Sequence, residues 1–163
     1  MTPDPPAGAS CFIDANILVY YFVNNPSFSM PCHEFIQRIA AGDVAAFTSP
    51  MVISEALHRI MLSEVQVRFS TPKPLAYVQR HPQIIPQLSL YHSAAKTLPA
   101  LSIQLLNVDV ATFAATSTFA AASFLLTDDA SIIALMQRHN IEYLISNDDD
   151  FGTIAAITVC KPR

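Results

Sequence analysis

The stretch from Thr127 to Phe151, TDDASIIALMQRHNIEYLISNDDDF, constrains the fold more than any other, because it sets one helix and one strand between two acidic clusters. Ile132, Ile133, Leu135 and Met136 form a helical stripe, and Asn140 is a natural C-cap. Tyr143-Leu144-Ile145 then runs apolar without alternation. So short an unbroken run reads as a strand covered on both faces, the kind found in parallel sheets. One of Asp128 and Asp129 is expected to be the N-cap of the helix, where a carboxylate meets free backbone amides.

The same pattern recurs upstream. Cys11-Phe12-Ile13 is a short apolar run ended by Asp14, and Ala15 to Val23 follows as a helix stopped by Asn24-Asn25-Pro26. Asp14 therefore reads either as a ligand-binding group at the carboxyl end of a strand or as an ordinary helix N-cap. A helix over Ser29–Ala41 closes at Gly42, and Ala45–Thr48 is a second strand. Ser49-Pro50 then opens a helix with apolar residues at Val52, Ile53, Ala56, Leu57, Ile60 and Met61. Glu55 is expected near the edge of that buried stripe, either salt-bridged to Arg59 at i+4 or holding a metal or water. Ile103–Val108 reads as a further strand, with Asp109 capping the Ala-rich segment Val110–Leu126. That segment lacks charge but is short for a bilayer and contains five Ser and Thr, so a buried helix is expected rather than a membrane span.

The chain has 163 residues, 52% of them hydrophobic and only 13% charged, which fits one packed domain over residues 11–163. Met1–Ser10, with Pro3, Pro5 and Pro6, is expected to be a flexible tail and not a signal peptide. The scarcity of charge suggests that some apolar surface is covered by another chain, in a homodimer or by a dedicated protein partner. A net charge of −4 excludes a basic field for non-specific nucleic-acid binding but allows a nucleic acid held locally through metal ions. Cys11, Cys32 and Cys160 form no C-x-x-C pair, which excludes a zinc ribbon and points to a reducing, cytoplasmic protein. The middle region, residues 70–101, is broken by prolines. Arg59, Arg68, Lys73, Arg80 and Lys96 lie in or next to it, either as a solvated face or as phosphate contacts.

In a parallel α/β sheet, the end of the first strand (Asp14), the first turns of the helix at Glu55, the helix start at Asp129 and the strand end at Asp148 all lie on one side. Carboxylates that converge repel one another and raise each other's pKa unless a cation is present. An all-oxygen donor set suits a hard divalent ion, Mg²⁺ or Mn²⁺. Such an ion activates a bound water and offsets charge on a phosphodiester.

The blocks FIDANILVYYF around Asp14, SPMVISEALHRI around Glu55 and DASIIALMQRHNIEYLISNDDDF from Asp129 resemble the three motif regions of PIN-domain nucleases, in particular VapC-type toxins of bacterial toxin-antitoxin pairs. The resemblance implies a three-layer α/β/α sandwich with a central parallel sheet. It also implies metal ligation and catalysis by Asp14, Glu55, Asp129 and Asp148, with Asn16 and Ser146 orienting a carboxylate or a water. Asp128 competes with Asp129 for its place. The implied activity is Mg²⁺- or Mn²⁺-dependent cleavage of RNA, and the implied partner is a small cognate antitoxin. The competing expectation is a PIN-like fold without catalysis, an RNA-binding or protein-interaction module whose aspartates are only caps.

Overall fold

The computed structural model describes residues 4–162. β1 (Ser10–Ile13) leads through Asp14 into α1 (Ala15–Phe22), followed by α2 (Ser29–Ala40) and β2 (Ala45–Thr48). The long α3 (Pro50–Arg68) and α4 (Pro74–Arg80) come next, then a 3-10 turn over Pro82–Gln87 and α5 (Ser89–Thr97). β3 (Gln104–Leu105), α6 (Val110–Ser123), α7 (Thr127–Arg138), β4 (Tyr143–Ile145) and β5 (Thr158–Cys160) complete the chain.

All neighbouring strands are parallel, in the order β3-β2-β1-β4-β5. β1 is central, and Cys11, Phe12 and Ile13 are fully buried on both sides of the sheet. The doubly covered sheet is the reason these strands are unbroken apolar runs. The order reverses direction between β1 and β4, which opens a crevice at their carboxyl ends where open α/β sheets bind ligands. Truncating a side chain as enclosed as Phe12 or Leu144 to Ala costs about 3 kcal/mol or more through lost burial and the cavity left behind.

Helix ends follow local chemistry. Ser49 Oγ accepts from the Val52 amide at 3.3 Å with Pro50 in the first turn, and Asp109 Oδ1 accepts from the Thr112 amide at 2.9 Å. Gly42 (φ 74°) and Asn140 (φ 53°) take the left-handed conformation just beyond α2 and α7. The three cysteines are free and buried, and burial pushes Cys11 and Cys32 up to about 12 and Cys160 to about 11. Thiols so hard to ionise are inert.

Several sequence expectations change. Residues 1–3 of the expected flexible tail lie outside the described residues, but Asp4 to Ser10 are tied down. Asp4 pairs with Arg38 at 2.9 Å, the Pro5 carbonyl accepts from Arg38, and Ser10 begins β1. The strand expected over Ile103–Val108 shrinks to Gln104–Leu105, both exposed at the sheet edge, with one more bond from the Leu106 amide to the Thr48 carbonyl. Neither Asp128 nor Asp129 caps α7: Leu126 is the N-cap residue, and both aspartates lie inside the first turn. There they still complement the positive end of the helix dipole.

The Ala-rich segment is not buried. α7 is covered all round from Ala130 to Met136, with α6 packed on it at the surface. α6 buries only the Thr112–Thr116 side, which leaves Val110 at 86% and Phe113 at 57% exposure. Alanines permit close approach on one face without demanding burial of the other. Among the described residues, no single helix is long and apolar enough to cross a membrane; α6 and α7 are bent 112° apart.

Candidate active site

Sheet register builds the centre of the site. Ile13 pairs with Ile145 across β1 and β4, so the next residues, Asp14 and Ser146, leave the sheet side by side. The Asp14 amide donates to the Ile145 carbonyl at 3.1 Å, and Ser146 Oγ donates to Asp14 Oδ2 at 2.6 Å. Asn16 is the second residue of α1, and its Nδ2 donates both to Asp14 Oδ2 at 2.5 Å and to Ser146 Oγ at 3.0 Å. The Asp148 amide donates to Ser146 Oγ at 3.0 Å, and the Asn147 amide to Asn16 Oδ1 at 3.2 Å. Asp14, Asn16 and Ser146 are all buried. The Asp14 carboxylate is thus fixed by a closed polar network at the reversal of the strand order.

Asp14 also accepts from the Ala15 amide at the start of α1, so it is the N-cap of that helix. Burial raises its pKa, opposed by the bonds from Ser146 and the Ala15 amide; Glu55 raises it further and Arg59 lowers it. Across the crevice stands Asp129, half-buried in the first turn of α7. Its pKa is pushed up to about 6 by burial and then by the negative charges of Asp14, Asp148, Asp150 and Glu55. Three elements therefore direct acid towards this carboxyl on α7: the end of β1 through Asp14, α3 through Glu55, and the segment after β4 through Asp148 and Asp150.

Glu55 lies further out than the edge of the buried stripe and makes the expected i+4 ion pair. Its side chain is 44% exposed, and it bonds Arg59 at 3.3 Å, one turn on. Asp128 is exposed and turned aside, lining a cleft of about 60 Å³ between α3 and α7 with Met51, Glu55 and Ser131. Asp148 is exposed, and its Oδ1 accepts from the Asp150 amide at 2.9 Å. Asp149 pairs with Lys161. Two contributions are absent from the sequence expectations: Asp150 acts electrostatically on Asp129, and Asn147 ties its backbone to Asn16. The unbroken run Asp148-Asp149-Asp150 was the only signal for the first, and the second had none.

Among the described residues, no three His, Cys, Asp or Glu side chains are drawn together closely enough to hold an ion as they stand. The donor chemistry nevertheless fits a hard divalent cation: all oxygens, with raised pKa values at Asp14 and Asp129 that a nearby positive charge would relieve. The Arg59 guanidinium partly offsets the charge at Asp14, and it is already bonded to Glu55.

The sequence profile described as PIN domain matches residues 11–157. The chain belongs to the PIN-domain family. No curated protein matches it in sequence. Solved structures similar to this PIN domain include VapC20 from Mycobacterium tuberculosis, described as a sarcin-ricin loop cleaving toxin, at 14% identity and a TM-score of 0.62 over 91% of this chain and 98% of that one. VapBC2 from Rickettsia felis, bound to a DNA fragment of its promoter, matches at 13% identity and a TM-score of 0.60 over 93% and 98%. A toxin-antitoxin complex from Klebsiella pneumoniae matches at 20% identity and a TM-score of 0.57 over 94% and 98%. At these identities the likeness shows a shared PIN fold: a parallel five-stranded sheet flanked by helices.

Proposed function

We propose that this PIN domain is a Mg²⁺- or Mn²⁺-dependent endoribonuclease, acting as the toxin of a toxin-antitoxin pair. The observation that carries the reading is the opposition of Asp14 and Asp129 at the β1/β4 crevice, with Asp129 raised to about 6 by a field of like charge. In this reading Asp14, Glu55, Asp129 and Asp148 hold the cation. The bound ion supplies an activated water and offsets negative charge on the scissile phosphodiester. Ser146 and Asn16 position Asp14 through Oδ2 while the Ala15 amide holds Oδ1, so the carboxylate keeps one orientation. The bond from the Asp148 amide to Ser146 Oγ joins the turn after β4 to the same network. No side chain in the crevice is required as a covalent nucleophile.

The partner reading is a cognate antitoxin and a homodimer. Similar chains solved as toxin-antitoxin complexes support the first. Apolar surface at Val110, Phe113, Phe124 and Leu126 supports a chain that is covered in its working state. The second functional reading, a PIN fold that binds without catalysis, is favoured by the looseness of the four acids.

The purified chain is incubated with RNA and Mn²⁺, beside Asp14→Asn and Asp148→Asn, and followed by gel. Metal-dependent cleavage by the wild type, lost in both variants, is the expected result. Undiminished cleavage by both variants would place the chemistry elsewhere.

A further inference from the structure

Charge is divided unevenly along this chain. Of the eight described Lys and Arg side chains, Arg38, Arg59, Arg138 and Lys161 pair with acids. The other four, Arg68, Lys73, Arg80 and Lys96, make no ion pair among the described residues, and all are exposed. They belong to one helical lobe: the end of α3, α4, the 3-10 turn and α5, packed on a small core of Val65, Val78, Ile84 and Leu88 separate from the main one. Glu64, the acid within this lobe, is occupied, accepting from the Tyr91 amide at 2.8 Å and from Ser89 Oγ. Among the described residues, a protein of net charge −4 thus keeps its uncompensated positive charge in one place, apart from its acidic crevice.

Aromatic rings alternate with those cations. The Arg68 guanidinium lies 5.4 Å from the Phe69 ring, Phe69 stacks on Tyr77 at 4.9 Å, and Tyr77 meets His81 at 4.7 Å. Lys73 and Arg80 flank this stack at the two ends of α4, the helix that carries Tyr77. Positive groups interleaved with flat π faces match a polymer that repeats phosphate and base. An acidic peptide would use the charges and leave the rings idle. The lobe also connects to the crevice: Glu55 and Arg68 lie on the same helix, about 20 Å apart along its axis.

We propose that the α4–α5 lobe is a docking surface for the sugar-phosphate backbone of RNA, engaged by Arg68, Lys73 and Arg80 some distance from the bond that is cut. Its substrate is therefore an RNA long enough to reach from the acidic crevice along α3. The route to the crevice rests on the ribonuclease reading; the docking itself does not.

The double variant K73Q/R80Q tests this with conservative changes at exposed positions, and its thermal unfolding should match the wild type. Binding of a labelled single-stranded RNA is followed by anisotropy in EDTA across a salt series. Loss of two phosphate contacts should weaken binding and make the slope of log K against log salt shallower by about 1.4. In Mn²⁺, cleavage of the long RNA should fall while cleavage of a dinucleotide, too short to reach the lobe, stays unchanged. Equal affinity and equal salt slope for wild type and variant overturn the proposal and leave the lobe to an acidic protein partner. If the wild type binds RNA through the lobe yet cleaves neither substrate, the docking surface stands and the ribonuclease reading falls.

Discussion

Asp129 is an acid whose surroundings disfavour its charge, and this gives the folded protein a pH signature. Its pKa rises from 3.8 in a free chain to about 6, so between those values the folded state binds more protons than the unfolded one. Stability of the metal-free protein therefore falls as pH rises from about 4 to about 6, the reverse of a salt-bridged aspartate. Asp129→Asn removes the repulsion, and because the group is only half-buried the gain is on the order of 1 kcal/mol at neutral pH. Thermal unfolding of wild type and variant at pH 4.5 and 7.5 in EDTA checks both statements, since the variant's advantage should shrink at the lower pH (about one unit above the free-acid value). Ser146 works in the opposite sense on Asp14, its hydrogen bond holding down a pKa that burial raises. Ser146→Ala should therefore move the acid limb of the cleavage pH profile upward and lower the maximum rate; an unmoved limb would make Ser146 merely structural. Asp14 and Asp129 were legible in the sequence because each adjoins an unmistakable strand or helix start. The choice between Asp128 and Asp129 was not, because adjacent residues in a first turn differ by about 100° of helix rotation that only the packing of α7 decides.

Among the elements, β1, β2 and β4 were readable because central parallel strands are unbroken apolar runs bounded by helix signals. The edge strands were not: Gln104–Leu105 is exposed, and Thr158–Cys160 is too short to carry a period. α6 misled for a physical reason, since Ala, Ser and Thr suit a tight helix contact and a solvent face equally. Its C-cap residue Phe124 is 95% exposed and held at φ 56°, ψ 31°, a left-handed conformation that costs a residue with a Cβ. Phe124→Gly should raise stability by about 0.5–1 kcal/mol, read as a higher denaturation midpoint in urea. A lower midpoint would mean that the ring is covered by another chain under the conditions used. At the start of α3, Ser49→Ala leaves the Val52 amide without its partner and should cost about 1 kcal/mol by the same measurement.

For the molecule as a whole, the sheet order explains why residues far apart in sequence share one crevice. Asp14 and Ser146 are distant along the chain but adjacent in register, because β4 pairs with β1. That much followed from reading several strand ends as parallel. The separation of charge, acid at the crevice and unpaired cations in the α4–α5 lobe, did not follow, because the sequence lists basic residues without saying which ones already have partners. The account depends most on the crevice being a metal site rather than a set of helix and turn signals, and calorimetric titration of Mn²⁺ into the metal-free protein tests it most directly. It predicts saturable binding by the wild type, strongly weakened in both Asp14→Asn and Asp129→Asn while the fold is retained. No binding heat, or the same isotherm in all three proteins, would contradict it.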